Sequence, residues 1–359
     1  EEEREYLRVN RFWVDDNEDE IALLEREINH NIQKRQKELE LTIALTNYCN
    51  FSCVYCYQNK NEKLMTTEVA NMIIEKIDRI LNDNIFEGIN IHYFGGEPLL
   101  NIPVLIYLDE NIKKITDKIG IVYKAFLTTN GSMLSKELLQ KVKFSSIQLT
   151  FDGLEKTHDR LRVSDHFHFK EEIELIENIM NFSQAKVLLR TNICKENKDE
   201  IIALHKYIFE KFGNERIEIN PNRTIKYHQD DSFEMLSVQE YAEVAYQIKL
   251  LWSEQKGKFE LPVPRSTPCK FPYGNAYAIS PEGYCTFCSG SMDQEKKYFF
   301  DVDIENKKMF SVRKECKKCN ILPLCLGGCI IQYNLRAGAC TYEKYELKNI
   351  LISYIKHIS

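Results

Sequence analysis

Short apolar runs alternate with amphipathic stretches six times between Leu41 and Asn220, and the turn motifs gather where the runs end. These two observations predict an α/β fold, a partial (β/α)6 barrel of the TIM type open on one side. A third, the crowding of eight of the twelve cysteines into Cys269–Cys340, predicts a separate C-terminal region stapled by metal.

The predicted strands are Leu41–Leu45, Ile89–Phe94, Val122–Thr128, Ser146–Phe151, Lys186–Ile193 and Arg216–Asn220. Between the first two, Val69, Met72, Ile73, Ile77, Ile80 and Leu81 recur at three- and four-residue steps, the spacing of one helix face. Leu105, Leu108, Ile112, Ile115 and Ile119 do the same in the next interval. Strands separated by helices are joined by crossovers and run parallel. In such barrels the chemistry sits at the C-terminal strand ends. Cys49–Cys56, "GGEP" (Gly95–Pro98), "TTNG" (Thr128–Gly131), "TFDG" (Thr150–Gly153) and "NPN" (Asn220–Asn222) all fall at such ends.

The divisions follow from composition. Residues 1–40 are charged, with a helix expected over Asp19–Glu40, and residues 41–235 hold the barrel. Residues 236–268 bridge, with a helix over Ser237–Glu254 and the proline-rich break "LPVPRSTPC" (Leu261–Cys269). Residues 269–345 are the cysteine-rich region, and 346–359 form a closing helix.

With 43% hydrophobic and 28% charged residues, the chain has the balance of a soluble globular protein. A net charge of −6 argues against a nucleic-acid partner. No run of about 18 apolar residues is present to span a membrane, and the acidic first 35 residues lack an apolar signal core, so a cytoplasmic location is expected. Cysteines in that setting read as metal ligands before disulfides. Cys194, alone at a strand end, reads as a small buried apolar residue.

Cys49, Cys53 and Cys56 form C-x3-C-x2-C, three thiols where zinc and iron–sulfur sites take four ligands. Two readings follow: a zinc knuckle, or a cubane cluster with one iron left open to a small molecule. The trio with Tyr55 before its last cysteine, "GGEP" at the second strand end and "DGLEKTHDRLR" resembles the radical S-adenosylmethionine (SAM) superfamily. The resemblance implies a 4Fe–4S cluster on the three cysteines, with its open iron chelated by the amine and carboxylate of SAM. It also implies SAM contacts at Tyr55, Gly95, Gly96, Glu97, Asn130, Thr150 and Arg162. Two glycines let a backbone come close to the cofactor's ammonium, and Glu97 suits a positive group. Asn130 and His158 are explained equally well by turn and packing roles.

Cys269, Gly283, Cys288, Cys316, Cys319, Cys325, Cys329 and Cys340 reproduce the seven-cysteine spacing of the SPASM extension of peptide-modifying radical enzymes. That resemblance, which spans roughly Leu41 to Tyr345, implies two auxiliary 4Fe–4S clusters. Cys269, Cys288 and Cys329 would serve the first, and Cys316, Cys319, Cys325 and Cys340 the second. Cys285 is additional: it closes the first cluster as a fourth ligand, or that cluster keeps an open iron. Paired zinc ribbons are the competing reading of the region.

The family reaction is one-electron cleavage of SAM to a 5′-deoxyadenosyl radical, which removes a hydrogen from a peptide carbon. The expected function is maturation of a ribosomally made precursor peptide containing Cys by a thioether cross-link of the sactipeptide or ranthipeptide type, with flavodoxin or ferredoxin as reductant. The alternatives are a carbon–carbon cross-link and formylglycine formation on a sulfatase. Sulfatase maturases carry an acid after the cysteine matching Cys288; here stands Ser289. A winged-helix leader-recognition domain, common ahead of the barrel in peptide maturases, is roughly twice the length of Glu1–Glu40 and is expected to be absent or truncated here. The non-enzyme alternative is an iron–sulfur or zinc protein that only carries electrons or offers an interaction surface, and such a protein has no need of "GGEP" at a strand end.

Overall fold

Alternation builds the first strand and fixes its faces. In β1 (Glu38–Ala44), Leu39, Leu41 and Ile43 are buried to 0–1% while Glu38 and Glu40 face the other way. The computed structural model describes residues 4–5, 17–83, 86–213, 215–227, 232–257, 259, 261–273, 275–286, 288–291, 297–302, 309–329 and 340–358. β1 pairs in parallel with β2 (Gly88–Phe94), and β3 (Val122–Thr128), β4 (Phe144–Thr150), β5 (Lys186–Ile193) and β6 (Ile217–Arg223) follow in order. These six strands form the expected partial barrel.

The helices fill the intervals between strands. α1 (Glu20–Arg35) precedes β1, and α2 (Thr67–Asp83) buries Ala70, Ile73, Ile77, Ile80 and Leu81. Met72, expected in that face, is 37% exposed. A 3-10 turn (Pro98–Asn101) leads into α3 (Ile102–Ile119), which Gly120 ends in the left-handed region at φ 75°. α4 (Lys136–Lys141), α5 (Glu155–Leu161), α6 (Phe169–Phe182) and α7 (Ile201–Phe212) complete the crossovers. α8 (Val238–Lys256) starts in a capping box in which Ser237 and Glu240 bond each other's backbone.

Three expectations shift. α1 stops at Arg35, not Glu40, because the alternation of Glu38, Leu39, Glu40 and Leu41 already belongs to β1. "NPN" lies inside β6 and not at its end. Pro221 lacks an N–H, and β6 is the terminal strand of the sheet, where a proline is tolerated. The sheet also continues across the expected boundary at residue 269. β7 (Ala276–Ile279) pairs in parallel with β1, followed by antiparallel β8 (Tyr284–Thr286) and β9 (Lys297–Tyr298), for nine strands among the described residues.

Among the described residues, the rest of the C-terminal region holds the short helices α9 (Lys270–Tyr273) and α10 (Leu322–Cys325), before α11 (Glu343–Ile358) packs on α8. α1 packs there too and not on the barrel: Ile28 and Ile32 meet Phe310, Val312, Leu322 and Leu326. The Asn29 amide donates to the Phe310 carbonyl at 2.9 Å and accepts the Phe310 N–H at 2.8 Å. Among the described residues no helix is long and apolar enough to cross a membrane.

Candidate functional site

The loop after β1 is held from three sides. Thr46 bridges to Leu64, Asn101 donates to the carbonyls of Leu45 (3.1 Å) and Met65 (2.9 Å), and Lys60 donates to the Phe51 carbonyl. Within the loop, Cys49 Sγ accepts the Phe51 N–H at 3.4 Å and the Asn130 amide at 3.9 Å. Asn130 also donates to Asn50 Oδ1 at 2.8 Å, which ties the end of β3 to the cysteine loop. Burial raises the Cys49 thiol and pushes Cys53 up to about 11, with Arg162 opposing the shift at Cys53 and the other two sulfurs adding to it.

"GGEP" fits against this loop with no room to spare. Gly95 has φ 141°, and a Cβ there would stand 2.4 Å from the Thr46 carbonyl oxygen; one on Gly96 would stand 2.1 Å from that of Tyr48. The close approach that demands glycine is therefore made by the chain's own backbone, through Gly96 N–H to Thr46 O (2.8 Å) and Glu97 N–H to Tyr48 O (2.9 Å). Glu97 is fully buried, and its carboxylate accepts from Leu99 N (3.0 Å), Thr129 Oγ1 (2.6 Å) and Asn130 N (2.6 Å). Burial raises its pKa although these three donors oppose the shift. Its side chain braces the ends of β2 and β3; the expected role, holding a positive group, meets a carboxylate already engaged by the chain.

On the other side of the loop lies a buried polar group. The Tyr55 hydroxyl donates to Asp152, whose other oxygen accepts Asn192 N–H at 2.7 Å. Arg162 Nη1 donates to Tyr55 at 3.5 Å, and His158 pairs with Glu172 at 3.1 Å. Asp152 and Glu172 are 0% exposed, His158 2% and Arg162 6%. Burial raises Asp152 against the pull of Arg162. Burial works against the charge of Arg162, yet Cys53, Tyr55, Glu172 and Asp152 override it and hold the guanidinium well above its ordinary range. Thr150, 8% exposed, closes β4 next to Asp152. Asp152 and Glu172 were not singled out in the sequence; the aspartate of "TFDG" was the available signal, while Glu172 on α6 offers none.

The C-terminal cysteines fall in separate neighbourhoods. Cys316, Cys319, Cys325 and Cys340 line one small pocket with Leu322, Thr341 and Lys344, and Lys344 Nζ donates to Cys340 Sγ at 3.7 Å. Cys329 raises the Cys269 thiol behind the larger effect of burial, and Cys329 and Cys288 both act on Tyr227 behind its burial. Tyr227 stacks at 5.1 Å on Tyr57, the residue after Cys56, whose hydroxyl donates to Ser289 O at 3.5 Å. Cys285 is different. It is 4% exposed on β8, opposite Ile279, and packs in the barrel's apolar core. Cys194 is fully buried against Leu161 and Phe233, as expected of an apolar residue.

The donor sets suit iron–sulfur clusters: three thiols on a braced loop beside a buried cation, and four thiols around one pocket. Among the described residues no three His, Cys, Asp or Glu side chains converge on one ion. A cubane, which takes one thiolate per iron, does not require that convergence.

Residues 43–208 match the Radical SAM superfamily. The radical SAM cyclopropyl synthase TigE of Paramaledivibacter caminithermalis is 24% identical over 372 residues, 91% of this chain and 76% of that protein. Uncharacterized protein MJ0907 of Methanocaldococcus jannaschii is 34% identical over 119 residues, and the match spans only 39% of its length. In fold, the chain resembles anSMEcpe with bound AdoMet and Cp18Cys peptide, with a TM-score of 0.70 and 19% identity over 89% of this chain and 98% of that one. It also resembles SuiB of Streptococcus suis bound to precursor peptide SuiA, with a TM-score of 0.60 and 17% identity over 89% and 77%.

Proposed function

Residues 43–208 form a radical SAM domain and the chain is an enzyme; from that premise we propose that it modifies a ribosomally made peptide, installing a cross-link. The domain's cofactors are SAM and a 4Fe–4S cluster, which together supply a carbon radical able to remove an unactivated hydrogen. The observation that carries the peptide reading is a likeness of fold over 89% of the chain to anSMEcpe, whose structure holds AdoMet and a peptide. We assign the radical cluster to Cys49, Cys53 and Cys56, and SAM contacts to Gly95, Gly96, Asn130 and Thr150. Tyr55, Glu97 and Asp152 hold the loop and its flanking turns in place.

Two auxiliary clusters complete the proposal, one on Cys316, Cys319, Cys325 and Cys340 and one on Cys269, Cys288 and Cys329. The core position of Cys285 favours the three-ligand form of the latter, with an iron open to a substrate thiolate. That supports a thioether as product. Ser289, where sulfatase maturases carry an acid, weighs against formylglycine formation. The second reading is a carbon–carbon link, favoured by the match to a cyclopropyl synthase over 91% of the chain.

The test is anaerobic reaction of the reconstituted enzyme with SAM, reduced flavodoxin and a Cys-containing precursor peptide. A thioether gives loss of two hydrogens per link and protects one Cys from alkylation. The same mass loss with every Cys alkylatable selects the carbon–carbon bond. Cleavage of SAM that leaves the mass of such peptides unchanged overturns the peptide reading.

A further inference from the structure

Two backbone bonds join the cysteine loop to the end of α5. Ser52 N–H donates to Val163 O at 2.8 Å and Val54 N–H to Leu161 O at 3.0 Å. The bonds bracket Cys53 on one side and Arg162 on the other, and Arg162 is the charged group that acts most on the Cys53 thiol. The guanidinium lies 5.4 Å over the Phe51 ring and reaches Tyr55 Oη at 3.5 Å. The cation therefore touches the side chains of residues on both sides of Cys53. Arg162 is 6% exposed, and its Nε has no hydrogen-bond partner among the described residues.

We propose that Arg162 is the fixed counter-charge of the Cys53 thiolate and of the cluster bound there, a positioning residue and not a contact for the carboxylate of SAM. A buried cation at this distance favours whichever cluster state carries more negative charge, which is the reduced one. Arg162 thereby eases delivery of the electron that SAM cleavage needs. The cation–π contact with Phe51 and the bond to Tyr55 keep the guanidinium from turning toward solvent. The inference rests on the radical SAM cluster and not on the peptide reading, so every measurement omits peptide.

The full chain is reconstituted anaerobically as wild type, Arg162→Gln, Arg162→Lys and Tyr55→Phe. Redox titration follows the EPR signal that SAM perturbs, and equilibrium dialysis gives the affinities for SAM and decarboxylated SAM. At the wild-type midpoint, Arg162→Gln should lower the ratio of reduced to oxidised cluster about tenfold. Arg162→Lys should lower it by less than about threefold, because the charge is kept. Tyr55→Phe should lower it slightly, in the same direction. SAM affinity should stay within about twofold throughout, since the guanidinium is engaged by Phe51 and Tyr55. A wild-type titration for Arg162→Gln overturns the proposal. So does a loss of SAM affinity above about tenfold that spares decarboxylated SAM, the signature of a carboxylate contact. Where Arg162→Gln takes up no iron, Arg162→Lys and Tyr55→Phe decide by the same readings, and unchanged ratios in both overturn it.

Discussion

The two cysteine groups solve one problem in opposite ways. The N-terminal trio occupies eight residues between a central strand and a helix, and bonds from Asn101, Asn130, Lys60 and the 161–163 backbone fix it from outside. The C-terminal group spreads from Cys269 to Cys340 over short helices and turns, with β7 and α1 as its main anchors. The first loop is shaped by the chain before any metal arrives. In the second, the proposed auxiliary clusters would supply part of the folding energy by ligation, as metals do in small metal-bound domains.

The sharpest test of this contrast removes each group in turn. Replacing Cys49, Cys53 and Cys56 by Ala should abolish SAM cleavage and remove about four of about twelve irons, leaving the thermal transition nearly in place. Iron analysis and differential scanning calorimetry read both. Replacing Cys316 and Cys319 by Ala should also cost about four irons, but it should make the C-terminal region sensitive to protease while the barrel resists. Equal protease resistance in the two variants would erase the contrast. Next in size is Gly96→Ala, whose new methyl meets the Tyr48 carbonyl. It should destabilise the barrel by roughly 1–3 kcal/mol in urea unfolding, a cost the braced loop exacts and the looser region would not.

The last effect concerns the barrel alone and is small at neutral pH, growing only in acid. His205 is 1% exposed, and burial lowers its pKa to about 3. An unfolded histidine titrates near 6.5, so the unfolded state takes up a proton first as pH falls. The stabilising contribution is complete above about pH 6.5 and is lost as pH drops from there toward 3. The slope approaches about 1.4 kcal/mol per pH unit, and His205→Leu should flatten that limb of a urea-monitored stability profile.

Periodicity made the barrel legible. Lys186–Ile193 and Val122–Thr128 have the bounds read from the residues, because each is a run of alternating or apolar side chains closed by turn residues. The misreadings arose where two patterns overlap. Glu38–Glu40 suits a charged helix end and a strand with one polar face, and only pairing with Gly88–Asn90 decides between them. The site was legible as motifs but not as contacts. "GGEP" marks the place, yet nothing in four letters says that Glu97 faces Thr129 and Asn130, thirty-odd residues on. Likewise the opposition of Cys53 and Arg162 depends on a backbone register that spacing does not encode.

The pairing of β7 with β1 reaches beyond geometry. β1 sits between β2 and β7, so every backbone group along Glu40–Ile43 has a neighbouring strand on both sides. A chain cut before residue 269 would lay that flank bare as an open sheet margin, flat and rich in Leu and Ile. Such margins recruit one another, so the shortened protein should precipitate from the cell extract while its fold is still intact. The cysteine-rich region thus covers a margin of the barrel's sheet, a duty independent of any metal.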